Sequence, residues 1–480
     1  MKKGESMYKN VIILGAGPAG LSAAWKLSEA GVKVVIIEAE SIVGGLCRSI
    51  RKDGFFFDLG GHRFITKDQE IQTMLEELMG NEFLLRPRKS VIRLKNKFFD
   101  YPLDVKSVMK NLPFSFTMHA FFDYLLTSVL QKFYPRRDSS FENWVVNRFG
   151  VTLYNLYFGP YSEKLWGVPP NTISADWAAQ RISLINLWDV FVRMFGKSDN
   201  EPKTYARQFY YPRLGCGQVF EKIAEKVVSA GNNKLIMNAE VKEIILNNNR
   251  MEKVIFSHNG KEEEVSGDYL ISTIPLPDFI KKIRPRVDDH YQVVADKMDY
   301  RSIKFLNLML DKAEITDNTW IYIPEEEFLF FRIQEWKNWS PTIVPEGKAG
   351  VTLEIACNEE DDIWNTSDED IFNRCMNDIE KIGFFKRSDV IDYFILNVKH
   401  CYPIYTLDYS DKVEILVRFI ANLENAISIG RQGLYRYNNM DHSIKMGFMT
   451  ADHILNGLRK EEIFNIATER KIFDWQDPGK

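Results

Sequence analysis

Cysteine is scarce and scattered: Cys47, Cys216, Cys357, Cys375 and Cys401 are the five in 480 residues, with no CxxC pair and no histidine at ligand spacing. A zinc site and a disulfide framework are both excluded, so no metal is expected and a reducing cytoplasm suits the chain. Long hydrophobic runs are missing too. No stretch reaches the roughly 18 uninterrupted apolar residues of a membrane-spanning helix. The nearest is 111–134, NLPFSFTMHAFFDYLLTSVLQKFY, which carries Asp123 and is followed by Arg136 and Arg137. It reads as a buried amphipathic helix pair, with a helix resting on a membrane surface as the alternative. The opening residues MKKGESMYKN run straight into an apolar strand without an h-region, so no secretion signal is expected. An excess of one charge sign is absent as well, with 62 basic against 66 acidic side chains and a net of -4. That argues against a nucleic-acid partner and leaves a small neutral or anionic organic substrate. No internal repeat and no low-complexity tract interrupts the sequence.

What is present is a chain with 45% hydrophobic and 13% aromatic residues, enough to bury a large core in two or three domains. Val11 to Leu14 is a short apolar strand, and Gly15-Ala16-Gly17-Pro18-Ala19-Gly20 follows it at once. Gly15 allows the tight turn, Gly17 lets backbone approach a pyrophosphate, and Gly20 lets the helix pack close to the strand. Leu21 to Ala30 supplies a helix whose amino-terminal dipole faces the phosphates. Gly31 ends it, and the strand Val32 to Ile37 leads to Glu38, a carboxylate positioned for ribose hydroxyls. Strand, turn, helix, strand and acid in that order point to a dinucleotide site.

Ser41 to Ser49, SIVGGLCRS, comes next, and its Gly44-Gly45 pair resembles the second signature of the glutathione-reductase-like flavoproteins that include the amine oxidases. The resemblance selects FAD over NAD. The arginine that amine oxidases place directly after the two glycines is here Leu46, with Arg48 two positions on. Four further stretches narrow the likeness. Phe57-Asp58-Leu59-Gly60-Gly61-His62-Arg63-Phe64 has the form of a GxH segment, and Tyr161-Ser162-Glu163-Lys164-Leu165-Trp166-Gly167 looks like YTEKxWG. Tyr300 to Phe305 resembles a YRSLKF strand, and the segment from Gly430 to Asp441 resembles GRxxxYxYxDMD. Together they resemble the UDP-galactopyranose mutases, within the amine oxidase and protoporphyrinogen oxidase-like superfamily.

The resemblance implies an α/β fold: a Rossmann-like FAD domain built from non-contiguous segments, a helical insertion and a mixed-sheet substrate domain. The boundaries expected are 8–100, 205–280 and 416–465 for the FAD segments, 101–204 for the insertion, 281–415 for the sheet and 466–480 for a tail. Lys234 to Leu246 reads as paired strands, and Val241 falls where relatives contact adenine through backbone. Gly61 and His62 are expected beside the isoalloxazine ring. Gly430 lets backbone approach the flavin, Arg431 balances the pyrophosphate, and a helix beginning at Met440 and Asp441 aims its amino terminus at the pyrimidine end.

In mutases the reduced flavin acts as a nucleophile at the anomeric carbon, so a diphosphate leaving group must be held above the ring. Tyr437 and Arg332, the latter in a stretch similar to YTRIIEH, match the residues that hold it, and Trp166 matches the tryptophan beside the sugar. His62, Arg332, Tyr437 and Trp166 are therefore the catalytic candidates. The phosphate-binding arginine of the mobile loop after the WG pair is absent, replaced by Val168-Pro169-Pro170, and Asn439 replaces the first aspartate of DMD. Arg181 is a candidate substitute. Two reactions stay open: ring isomerisation or redox chemistry on a nucleotide sugar, as in polysaccharide biosynthesis, with NAD(P)H as a candidate reductant; or hydride removal from an amine or apolar substrate, as in amine oxidases and desaturases. An inactive flavin scaffold is a third reading, and a homodimer is compatible with any of them.

Overall fold

The computed structural model describes residues 8–101, 111–182 and 208–468. The expected tail from 469 onward, and the parts of the insertion at 102–110 and 183–204, lie outside the described residues, as does the side chain of Arg181.

Two sheets organise the chain. The first is a five-stranded parallel sheet in the order Ala426–Ser428, Tyr269–Ser272, Asn10–Leu14, Lys33–Ile37, Lys234–Ile236. Its central strands are continuous β-branched runs buried on both faces, as a sheet covered by helices requires. Helix Pro18–Glu29 covers one face and packs against helix Met440–Asn456. Lys234–Ile236 and Ala239–Asn247 read from sequence as a pair, yet they separate. The first joins this parallel sheet, while the second pairs with Arg250–His258 in an antiparallel four-stranded sheet. Asn238, at φ +51°, turns the chain between them. That reversal is a tertiary choice that local propensity does not express.

The second sheet has seven strands in the order Val390–Pro403, Tyr300–Leu310, Ala349–Cys357, Arg332–Glu335, Trp320–Tyr322, Ser90–Leu94, Lys97–Asp100. All neighbours are antiparallel except the parallel pair Trp320–Tyr322 and Ser90–Leu94. The hairpin 90–100, which sequence grouped with the first nucleotide segment, therefore completes the seven-stranded sheet. Alternation along Tyr300–Leu310 divides two cores: Leu306, Leu308 and Leu310 pack with helix Asp368–Ile382, while Ile303, Phe305 and Met309 join the main core. On the neighbouring strands, Trp320 opposes Gln334, and Tyr322 opposes Arg332, which in turn opposes Glu354. Residues directly opposite in a sheet share a face, so these five side chains stand together.

The segment 111–134 is one helix, Phe114–Phe133, rather than a buried pair. Only Ala120 and Tyr124 are buried on it, and Phe114, Phe122, Leu126 and Phe133 are exposed. Helices Phe141–Phe149, Gly159–Trp166 and Ala175–Arg181 follow. Among the described residues no helix is long and apolar enough to cross a membrane.

Candidate active site

The turn after Asn10–Leu14 is tight because Gly15 adopts φ +97°, and its amide donates to the Ile37 carbonyl at 2.8 Å. A Cβ on Gly20 would lie 2.1 Å from the Gly15 carbonyl oxygen, so only glycine lets helix Pro18–Glu29 begin here. Gly45, at φ +55°, passes so close to Gly17 that its Cβ would meet the Gly17 Cα at 3.2 Å. The two glycine loops thus interlock, and the Gly44 amide fastens them by donating to the Ala16 carbonyl at 2.8 Å. Glu38 is buried and accepts from the amides of Ala16 (2.6 Å) and Glu40 (2.9 Å). Burial raises its pKa, partly offset by those two amides. Each carboxylate oxygen has a second lone pair, which leaves room for a ribose hydroxyl. Arg48 donates to the Gly45 carbonyl (2.9 Å) and pairs with Glu40 (3.2 Å), bracing the second loop.

From this grip one cavity of about 850 Å³ extends to the seven-stranded sheet. Its wall includes Gly15, Gly17, Glu38, Gly45, Arg48, Gly61, His62, Arg332, Gly430, Arg431, Tyr437 and Met440, so most residues singled out from sequence converge here. Gly61 is packed against Trp339, whose ring carbons would lie 2.9 Å from a Cβ, which keeps the loop flush with the cavity wall. Gly430 holds φ +83° against Ala19. Arg431 donates to the Asn438 carbonyl (2.5 Å), and its guanidinium carbon stands 4.7 Å from the Tyr437 ring centre. Helix Met440–Asn456 starts at the wall, with Asn439 as its cap and Met440 facing in. The Asn439 amide donates to His442 Nδ1 at 3.3 Å, so the replacement of the DMD aspartate leaves a capped helix.

Arg332 is locked. Its Nε and Nη2 donate to the two oxygens of Glu354 at 2.8 and 2.5 Å, and Gln334 Nε2 adds a third bond at 2.9 Å. Burial works against the Arg332 cation, but Glu354 and neighbouring Tyr402 outweigh it and hold its pKa well above the ordinary value. His62 goes the other way: burial, with the Arg431 and Arg332 cations adding to it, lowers its pKa to about 3. The ring is neutral at physiological pH, and its Nδ1 has no hydrogen-bond partner among the described residues.

Five sequence assignments fall off the cavity wall, Gly20 among them, one position beyond Ala19. Trp166 is 1% exposed and stands behind the wall, enclosed by Trp177, Tyr402 and Tyr437, so Tyr402 and Tyr437 face the cavity in its place. Val241 is buried within its strand and its carbonyl accepts from Lys282 (2.8 Å), while Glu240 meets the cavity. Gly44 and Asp441 lie one position off the wall, beside Gly45 and Met440. Sequence reading missed Tyr161, Tyr322 and Tyr402, which line the cavity with Tyr437 as two ring pairs, Tyr161–Tyr322 and Tyr402–Tyr437, as well as Trp320, Arg63 and Arg88. The seven-stranded sheet supplies three of the six, Trp320, Tyr322 and Tyr402.

A missed buried carboxylate supports the site from below. Asp58 accepts from Ser49 Oγ (2.5 Å), Tyr211 OH (2.6 Å) and the Cys216 amide (3.1 Å), tying the loop before Gly60 to helix Gly217–Ser229. Burial pushes its pKa up to about 6, although these bonds pull the other way.

The model of the flavin containing amine oxidoreductases matches residues 18–404. The chain belongs to that family. An L-amino acid oxidase (Cdc18) of Crotalus durissus cumanensis is 39% identical over 90 residues, which is 18% of this chain and 18% of the oxidase. The chain thus matches under a fifth of that relative's length. A solved structure of reduced UDP-galactopyranose mutase superposes with a TM-score of 0.84 at 24% identity, covering 96% of this chain and 97% of that one. Wild-type putrescine oxidase bound to putrescine superposes with a TM-score of 0.62 at 17% identity, covering 93% and 99%. These likenesses establish the α/β flavoprotein fold. The interlocked glycine loops, the half-satisfied Glu38 carboxylate and the single continuous cavity fit the FAD that family membership implies.

Proposed function

We propose that the chain is an FAD-dependent enzyme acting on a nucleotide sugar, in chemistry of the kind a polysaccharide biosynthetic route requires. One observation carries this reading: the dinucleotide grip and a wall bearing Arg332, Arg431 and six tyrosines belong to one cavity. When bound, FAD supplies two-electron redox chemistry or, reduced, a nucleophile. Gly15, Gly17, Gly45 and Glu38 would hold its adenosine and pyrophosphate, with Gly61, Gly430 and the start of helix Met440–Asn456 around its ring. Arg332 keeps Nη1 for a substrate diphosphate while Glu354 fixes its plane, and Tyr437 adds a neutral donor. Neutral His62 orients without contributing charge.

A second reading rests on that same Arg332–Glu354 pair. Because Glu354 matches the Arg332 charge, that pair brings no net charge to the tyrosines beside it, which suits hydride removal from an amine. The visible spectrum separates the two. A dehydrogenase bleaches its flavin on anaerobic mixing with an amine; the nucleotide-sugar reading requires that UDP-galactopyranose perturb the flavin band, with turnover only after reduction by dithionite or NAD(P)H. Absence of any response to UDP-sugars, together with amine-dependent bleaching, would reject the first.

A further inference from the structure

Helix Phe114–Phe133 contributes nothing to the cavity wall, and its outward face is apolar where a surface helix is ordinarily polar. Phe122, Leu126, Val129, Leu130 and Phe133 fall at i, i+4, i+7, i+8 and i+11, one stripe of an α-helix. Phe122, Leu126 and Phe133 are 61%, 60% and 69% exposed, and Val129 and Leu130 are exposed beside them. The hold on the protein comes from the other face, where Ala120 and Tyr124, one turn apart, are buried, and the helix packs against Phe141–Phe149. Single exposed apolar side chains are ordinary, but five in one stripe mark a face that meets something less polar than water.

Cations collect at the carboxyl end of that stripe. Lys132 lies in the last turn, Arg136 and Arg137 follow it, and all three are exposed. The bonds between Gln131 and Arg136 use the Arg136 backbone, so its guanidinium is not drawn back to the helix. Neighbouring acids are committed to other groups. Asp123, the sole acid of the helix, accepts the Thr152 amide at 2.7 Å, and Asp138 pairs with Arg148 at 2.7 Å. An apolar stripe with cations at its edge matches an anionic lipid surface, where acyl chains receive the apolar side chains and headgroup phosphates receive the cations. A second copy of this helix would bring the same stripe and the same cations, with no free acid to match them.

We propose that helix Phe114–Phe133 docks this enzyme on an anionic membrane surface, its apolar stripe among the acyl chains and its three cations at the headgroups. The contact is peripheral, with the helix lying in the interface rather than across it, since none of the described helices is long and apolar enough to span a bilayer. It goes beyond the choice between sugar and amine substrates and does not depend on it. Phe141, on the adjoining helix, lines the cavity, so one element separates the docking face from the site.

The test is co-sedimentation of the FAD-loaded protein with vesicles of phosphatidylcholine alone and of equal parts phosphatidylcholine and phosphatidylglycerol. Wild type is compared with Leu126→Glu and with the double variant Arg136→Gln, Arg137→Gln. Wild type should bind the anionic vesicles about tenfold or more tightly than the neutral ones and lose that preference as salt is raised. Leu126→Glu should weaken binding about 10- to 100-fold and the double variant about 10- to 30-fold, with flavin content and melting temperature unchanged because all three positions are exposed. Wild type that stays in the supernatant with anionic vesicles, or that binds neutral ones equally well, overturns the proposal. So do folded variants that bind within twofold of wild type. Sedimentation velocity without lipid examines the rival occupant: a dimer that Leu126→Glu splits, with no vesicle binding, would assign the face to a second copy and reject the membrane.

Discussion

At the scale of single residues, the site is governed by what burial does to charge. His62 sits in the cavity wall near the Arg431 and Arg332 cations, and burial together with those charges lowers its pKa to about 3. A histidine held this low keeps one proton on its ring across the range in which free imidazole titrates. Ring-labelled NMR of the folded protein should show one histidine with no transition between about pH 5 and 8, and His62→Asn should remove that signal. A His62 midpoint inside this window would refute the assignment. Arg332 and Glu354 are the converse case, a buried pair whose worth depends on both members. Glu354→Gln leaves the Arg332 cation enclosed without its counter-charge and should cost about 3–5 kcal/mol in denaturant unfolding. A loss below about 1 kcal/mol would mean that the pair is solvated in solution.

Elements are positioned by close backbone approach more than by side-chain chemistry. Helix Met440–Asn456 lies against Pro18–Glu29 because Gly447 has no side chain: a Cβ there would come within 2.5 Å of the Ala19 carbonyl oxygen and 2.9 Å of the Ala23 amide nitrogen. Helix propensity alone favours alanine by roughly 1 kcal/mol, but overpacking against rigid backbone costs about 1–3 kcal/mol, and the backbone here cannot yield without moving both helices. Gly447→Ala should therefore lower stability on balance and reduce bound flavin, because both helix amino termini meet at the cofactor end of the cavity. Equal stability and full flavin content in this variant would contradict that packing. The same logic explains why the glycines at 15, 17, 20, 44 and 45 were readable in advance. The spacing of Gly15, Gly17 and Gly20 encodes a local turn and a helix start, whereas Gly44 and Gly45 were legible through the family resemblance.

Across the whole molecule, the Asp58 network joins the two-stranded hairpin Ser49–Lys52 and Phe55–Asp58 to Tyr211 and to Cys216, at the start of helix Gly217–Ser229. Asp58 has a pKa of about 6 when folded against 3.8 as its ordinary value. An acid whose folded pKa is raised binds its proton more tightly in the folded state, so its contribution to stability is fully present below pH 3.8 and is lost as pH rises through 6. Asp58→Asn should destabilise by about 1–3 kcal/mol near pH 7, since an amide offers fewer acceptors to the three donors. The gap from wild type should widen as pH falls from about 7 to about 4, by up to about 3 kcal/mol. Melting curves of both proteins at several pH values check this, and a gap that narrows on acidification would reverse the sign. Ligand linkage adds a test at the same scale: FAD at about 100 times its dissociation constant should raise stability by about 2.7 kcal/mol.

The amino-acid sequence by itself determined the cofactor end of this protein. Glycines, a following helix and an acid within the first forty residues are local, and the family likeness of the later motifs carried the α/β flavoprotein fold. Arg332 and Tyr437 were named in advance, but tertiary structure decided how the seven-stranded-sheet end of the cavity is assembled around them. Trp320, Tyr322, Arg332, Gln334 and Glu354 lie on three strands and share one face only because of their pairing register. It also moved Trp166 behind the wall, carried the 90–100 hairpin to the far sheet and gathered Arg63 and Arg88 over one ring. Those outcomes depend on pairings from ten positions apart, as between Tyr322 and Arg332, to over two hundred, as between Ile92 and Tyr322, where packing energy rather than local conformational preference chooses the partner.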